Sequence, residues 1–130
     1  MAYPRVQVIE NGLRLPRGAT LLAQGGVRSL YTINGGAVRV MRITGIVTTA
    51  LAATANATKI QAKATGQTAV DLCATGDING LVVGQVLGIT GTAATALQFG
   101  WAIPSQATSW TLLPGTIDLN CVGSIAGAIR

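Results

Sequence analysis

Residues 29–47 read SLYTINGGAVRVMRITGIV, two runs rich in β-branched and aromatic residues divided by Asn34-Gly35-Gly36. Val, Ile, Thr and Tyr suit a pleated, half-buried strand, whereas Asn and Gly tolerate the positive φ of a tight turn. The stretch therefore predicts a β-hairpin with strands over Ser29–Ile33 and Ala37–Val47. Within the second run Val38 and Val40 share a face, while Met41 and Ile43 take the opposite parity. A bulge near Val40-Met41 restores the pattern and sets Arg39 and Arg42 together on the solvent side.

The same punctuation continues towards the C-terminus. Thr48–Thr58, TTALAATANAT, reads as a loop, because Thr and Asn side chains compete with helical hydrogen bonds. Lys59–Ala64 alternates, with Lys59, Gln61 and Lys63 facing outward. In Thr68–Ala74 the same rule turns Val70 and Leu72 inward and Asp71 and Cys73 outward. Further strands are expected at Leu81–Val83, Gln85–Thr90, Ala96–Trp101, Ser109–Leu113 and Thr116–Val122, divided by Gly91, Pro104-Ser105 and Pro114-Gly115. The tail 123–130 reads as one more strand or an ordered contact. Many short strands separated by Gly and Pro turns predict an all-β domain, an antiparallel sandwich or barrel of jelly-roll-like kind.

Towards the N-terminus the pattern changes. Pro4, Pro16, Asn11-Gly12, Arg17-Gly18 and Gln24-Gly25-Gly26 break residues 1–28 into short pieces, among them Val6–Ile9 and Thr20–Leu22. We read two parts: an extended N-terminal arm over 1–28 and one β domain over 29–130. Charge separates them as well. Six arginines against Glu10 alone place +5 before residue 43, and three cations against Asp71, Asp77 and Asp118 leave the remainder neutral. Arg5, Arg14, Arg17 and Arg28 on the arm are the candidate partner-binding residues. They are spaced among Pro, Gly and Leu, with few aromatics to stack on bases, which favours an acidic protein surface over nucleic acid. The arm is expected to lie across a neighbouring subunit, by strand addition and arginine pairing.

Composition bounds the function. Hydrophobic residues make up 49% and charged residues 10%, against roughly 25% charged in an ordinary soluble domain. A surface of Thr, Ser, Asn, Gln, Gly and Ala desolvates cheaply and suits a protein packed against neighbours. No apolar run reaches the roughly 18 residues of a membrane span, and the first residues contain no secretory leader, so a cytoplasmic origin without membrane contact is expected.

The chemistry-bearing residues are few. There is no histidine, which removes the commonest general base and metal ligand. Asp71 and Asp118, in the phrases VDLC and IDLN, are the one pair that could resemble a glycosidase's carboxylates; they read instead as solvent-facing strand positions. Gly76–Gly80 has the Asp and Asn of a calcium loop without its remaining ligands. Trp101 and Trp110 read as core or interface anchors, and Cys73 and Cys121, of opposite parity, as free thiols. The expectation is no enzyme, no cofactor and no metal.

The phrases GGAVRVMRITGIVTT, ATKIQAKATGQTAVDLCATGDING, GQVLGITGT and LPGTIDLNC together resemble small virion structural proteins of tailed bacteriophages, over roughly Ser29–Val122. That resemblance implies a β-sandwich or barrel that oligomerises on the particle, commonly as a homotrimer, after assembly in the host cytoplasm. Within that class it implies a capsid decoration or cement protein bound to the major capsid protein. A tail, baseplate or head-fibre component is the competing virion reading, and a small carbohydrate-binding module the alternative outside that class.

Overall fold

The structure, a computed structural model, describes residues 15–18, 20–21, 26–123 and 126–130. It is all-β, without a helix among the described residues. The strands are β1 (Thr20–Leu21), β2 (Gly26–Ile33), β3 (Val38–Val40), β4 (Thr44–Thr49), β5 (Ala57–Ala64), β6 (Val70–Asp71), β7 (Val86–Gly88), β8 (Gln98–Gly100), β9 (Trp110–Leu112), β10 (Gly115–Val122) and β11 (Ala128–Ile129). They form a five-stranded sheet in the order β1-β11-β4-β7-β8, a four-stranded sheet β2-β10-β5-β6 and a ribbon β3-β9. All strand pairs are antiparallel.

The core lies between the two larger sheets. Ile33, Ile60, Ile117 and Leu119 enter it from the four-stranded sheet, and Val47, Leu87 and Ile129 from the five-stranded one. Each such side chain contributes roughly 1.5–3 kcal/mol by leaving water. Strand β10 is the centre of this arrangement. It pairs with β5 from Gly115↔Ala64 to Val122↔Ala57 and with β2 from Gly115↔Ile33 to Cys121↔Gly26. Its alternation follows directly: Ile117, Leu119 and Cys121 are buried inward, while Thr116, Asn120 and Val122 sit on the outer face.

The hairpin expected at Asn34–Gly36 does not form. Gly35 and Gly36 take positive φ, 80° and 152°, so the chain does turn there. It then crosses to a different sheet: β2 pairs with β10, and β3 pairs with β9. Both partners come from 70 or more residues along the chain. Long-range pairing wins because β2 gains an eight-residue partner and an inward face, more than a short local ribbon offers. Nor is there a bulge at Val40-Met41. The strand stops at Val40 and resumes at Thr44 in the five-stranded sheet, so three residues absorb the parity change, with Arg39 and Arg42 both exposed. The expected strand at Leu81–Val83 is likewise irregular and runs into a turn.

Of the expected arm, residues 1–14, 19 and 22–25 lie outside the described residues. Within the rest, β1 pairs with β11 of the same domain, Thr20 opposite Ile129 and Leu21 opposite Ala128. Gly26–Arg28 belong to β2, and the Tyr31 hydroxyl donates to the Leu15 carbonyl.

Candidate assembly surface

The four-stranded sheet holds two of the chain's four acids, Asp71 on β6 and Asp118 on β10. Register aligns Ser29, Asp118, Gln61 and Asp71 in one row across β2, β10, β5 and β6. Gln61 Nε2 donates to Asp71 Oδ1 at 2.8 Å, and Asn120 Nδ2 donates to Gln61 Oε1 at 3.2 Å. Lys59 Nζ lies 3.0 Å from Asp71 Oδ1. This network covers Gln61, which strand parity alone turns to solvent; it is only 9% exposed. Asp118 is also covered, at 5% exposure, contrary to its expected solvent-facing position. The two aspartates stand two strands apart, a Cα separation of roughly 9.5 Å at the usual strand spacing. The Gln61 side chain occupies the row between them, and Asp71 is engaged by Gln61 and Lys59. Asp71 thus ties β6 to β5.

The Gln61 amide and then the Lys59 ammonium hold the Asp71 carboxyl below its ordinary value of 3.8. A carboxyl depressed in the folded state adds stability above its unfolded pKa, and that stability is lost as pH falls through the folded value. The side chain is 43% exposed, so solvent screens the effect to a modest size. Asp71→Asn should lower stability modestly at pH 7 and converge with the native chain as pH falls below 3.8, which flattens the acid limb of the stability curve. Thermal unfolding between pH 2 and 7 measures it; an unchanged acid limb would show that the network contributes nothing.

The remaining sequence candidates fall in separate places. Arg5 and Arg14 lie outside the described residues. Arg17 is half-buried, at an apolar cavity of about 60 Å³ between the sheets, with Leu30, Leu87, Leu119, Ile129 and Arg130. Small-molecule sites run to roughly 300–1,000 Å³, so this cavity admits no ordinary ligand. Arg28 is half-buried on β2. Asp77 Oδ1 accepts from Asn56 Nδ2 at 3.0 Å and the Asn79 amide at 3.1 Å. Asn79 first, and then Asn56, hold that carboxyl below 3.8, an Asx turn that fastens 76–80 to the loop before β5. Among the described residues no group of three His, Cys, Asp or Glu gathers to hold a metal ion.

Both cysteines are free and buried. Cys73, expected outward, is fully enclosed: β6 ends at Asp71, the alternation stops there, and Cys73 Sγ accepts from the Ile60 amide. Burial pushes its thiol above the ordinary 9.0, which disfavours the reactive thiolate. Val70, expected inward, is instead exposed on the edge strand β6.

What the structure adds is an apolar surface at the β8 edge. Strand β8 ends the five-stranded sheet, with Phe99 opposite Leu87 and Gly100 opposite Val86. Phe99 is 40% exposed and Trp101 70%. The Trp101 ring approaches to 3.6 Å of where a Cβ on Gly84 would stand, which puts the turn bearing Val82 and Val83, both about half exposed, beside it. Trp110, by contrast, packs against the core. The sequence flagged Trp101 as an anchor. Its company was hidden, because Val82 and Val83 look like an inward strand until the turn at Gly84 turns them out. Comparison with family models, with curated proteins and with solved structures gives no match to this chain.

Proposed function

We propose that this chain is a non-enzymatic structural protein of a tailed-bacteriophage particle, and within that class a decoration or cement protein on the outside of the capsid. It associates with copies of itself, as a trimer, and docks on the major capsid protein. The observation that carries the reading is the segregation of charge on a small β-sandwich. Six of the seven arginines, including the exposed Arg39 and Arg42, lie before residue 43, whereas the run from 78 to 117, with Phe99 and Trp101, contains no charged residue at all. One region suits an acidic shell of a different protein, and the other suits an uncharged neighbour. The carboxylates Asp71 and Asp77 are engaged in fastening strands and loops, which fits a scaffold better than a catalyst.

A reconstruction of purified particles that encode this chain tests the proposal. The chain is expected on the shell exterior, in many symmetry-related copies. Its absence from particles would refute the virion assignment, and a position in the tail or baseplate would replace decoration with the competing virion role. Replacing Arg5, Arg14, Arg39 and Arg42 with Ala should weaken attachment to undecorated shells by about tenfold, since exposed ion pairs contribute roughly 0.2–1 kcal/mol each. Residual binding should be less sensitive to salt; unchanged affinity and salt dependence would remove the arginines from the docking surface. The exposed Trp101 also favours a second reading, a sugar-binding module in which the ring stacks on a saccharide, and tryptophan quenching by added saccharides tests it.

A further inference from the structure

We infer that the β8 edge, centred on Trp101 and Phe99 with Val82 and Val83, is the surface through which copies of this chain meet, the patches of all copies converging on a shared rotation axis. The inference rests on the self-association in the reading above and gives it a location.

An exposed sheet edge invites pairing, and proteins blunt it with charge, proline or shortness. The β6 edge carries Asp71 with its Lys59 ion pair, and β2 carries Arg28. Strand β8 carries no charge and no proline; it is protected by its length of three residues and, just before it, by the bridge of Ala96 to Ala74. Main-chain pairing between two such strands contributes little, so the side chains must carry the contact. At roughly 200 Å² per aromatic side chain, the exposed parts of Trp101 and Phe99 amount to about 200 Å². The two valines bring the patch into the range of a few hundred Å² that marks functional surfaces on monomers. A specific interface needs about 800 Å² per partner, and the uncharged surroundings supply the remainder: Gln85, Thr92, Thr95 and Gln98 lie in the same charge-free run. An apolar centre with a neutral polar rim is the usual anatomy of an interface.

Charge then selects the occupant. The chain carries +5, so copies repel one another at most approaches. The run from 78 to 117 is the longest stretch of the sequence without a charge, so contacts between copies made by its side chains oppose no like charges. An acidic partner gains nothing here and is drawn to the arginines. A second copy of the same patch offers Trp, Phe and Val of matching size, none of them ionic.

The test is sedimentation equilibrium of the full chain from about 1 to 100 µM, with Trp101→Lys, Val83→Lys and, as a control on the outer face of the other sheet, Val27→Lys. All three positions are well exposed, so each variant should keep its circular dichroism and melting temperature. The native chain is expected to be oligomeric, with the mass reporting two-fold or three-fold symmetry. Trp101→Lys and Val83→Lys should each weaken assembly by at least about 30-fold, the loss typical of an interface hot spot, and Val27→Lys should leave it unchanged. An oligomer that survives both patch substitutions would refute this location while leaving self-association standing. A native chain monomeric at 100 µM would overturn both. A monomer whose tryptophan fluorescence is quenched by saccharides would transfer the patch to carbohydrate binding.

Discussion

Gly115→Ala will destabilise the domain by on the order of 3–5 kcal/mol, a large share of the roughly 5–15 kcal/mol that holds a domain together. Gly115 opens the central strand β10 with φ at +155°, and a Cβ there would stand 2.0 Å from the Lys63 carbonyl oxygen and 2.8 Å from the Ala64 Cα. Those atoms belong to β5, the strand that β10 must pair with. The methyl group can be admitted only by moving backbone, which breaks the ladder at its first rung. Gly66→Ala provides the comparison. It also has positive φ, +75°, but nothing lies within 4 Å of the new Cβ. Its cost is the local strain of a left-handed alanine, about 1–2 kcal/mol. Urea unfolding of both variants measures the difference. Equal losses would mean that β5 gives way freely and that the strand contact is not tight.

Leu119→Ala is expected to cost about 3–5 kcal/mol, within the range of buried leucine truncations. Leu119 is 1% exposed, central in β10, and lines the existing cavity of about 60 Å³. The deleted methyl groups enlarge a void that is already present, so neighbours from both sheets cannot close over it. The loss should fall towards the upper end, given about 24 cal/mol for each Å³ of residual cavity. Leu119→Met, which conserves volume, should cost less than about 1.5 kcal/mol. Denaturant midpoints with unchanged m-values verify this; a loss near 1 kcal/mol for the alanine variant would mean that the sheets collapse onto the gap.

Both substitutions act on β10, and β10 also separates what is legible in the sequence from what is not. TIDLNCV alternates, and its inward Ile117, Leu119 and Cys121 and the outward Asn120 could be read from period two alone. So could the all-β class, from the spacing of Gly and Pro, and the inward Ile60 of β5; Thr58, read as loop, is instead a buried position of that strand. These are local consequences of a pleated backbone, in which successive side chains must point to opposite faces. Arg39 and Arg42 reach solvent as parity suggests, although by a break in the strand rather than a bulge.

Partner choice was not local. Asn34-Gly35-Gly36 has the composition of a hairpin turn, yet β2 and β3 leave it for different sheets, because β10 and β9 offer them longer or better-buried neighbours. Cys73 and Val70 exchange their expected sides because β6 is a two-residue edge strand, too short to impose alternation beyond Asp71. Gln61 and Asp118 are covered by cross-strand neighbours that no single strand reveals. The apolar edge formed by Phe99, Trp101, Val82 and Val83 exists only because the chain turns at Gly84 and lays β8 at the margin of its sheet. Strand periodicity sets which face a side chain takes, and so the sequence by itself determined the fold class and the faces of the long strands. Sheet order sets which neighbours cover that face, and sheet order is decided by burial summed over the whole chain, which only the tertiary structure contains.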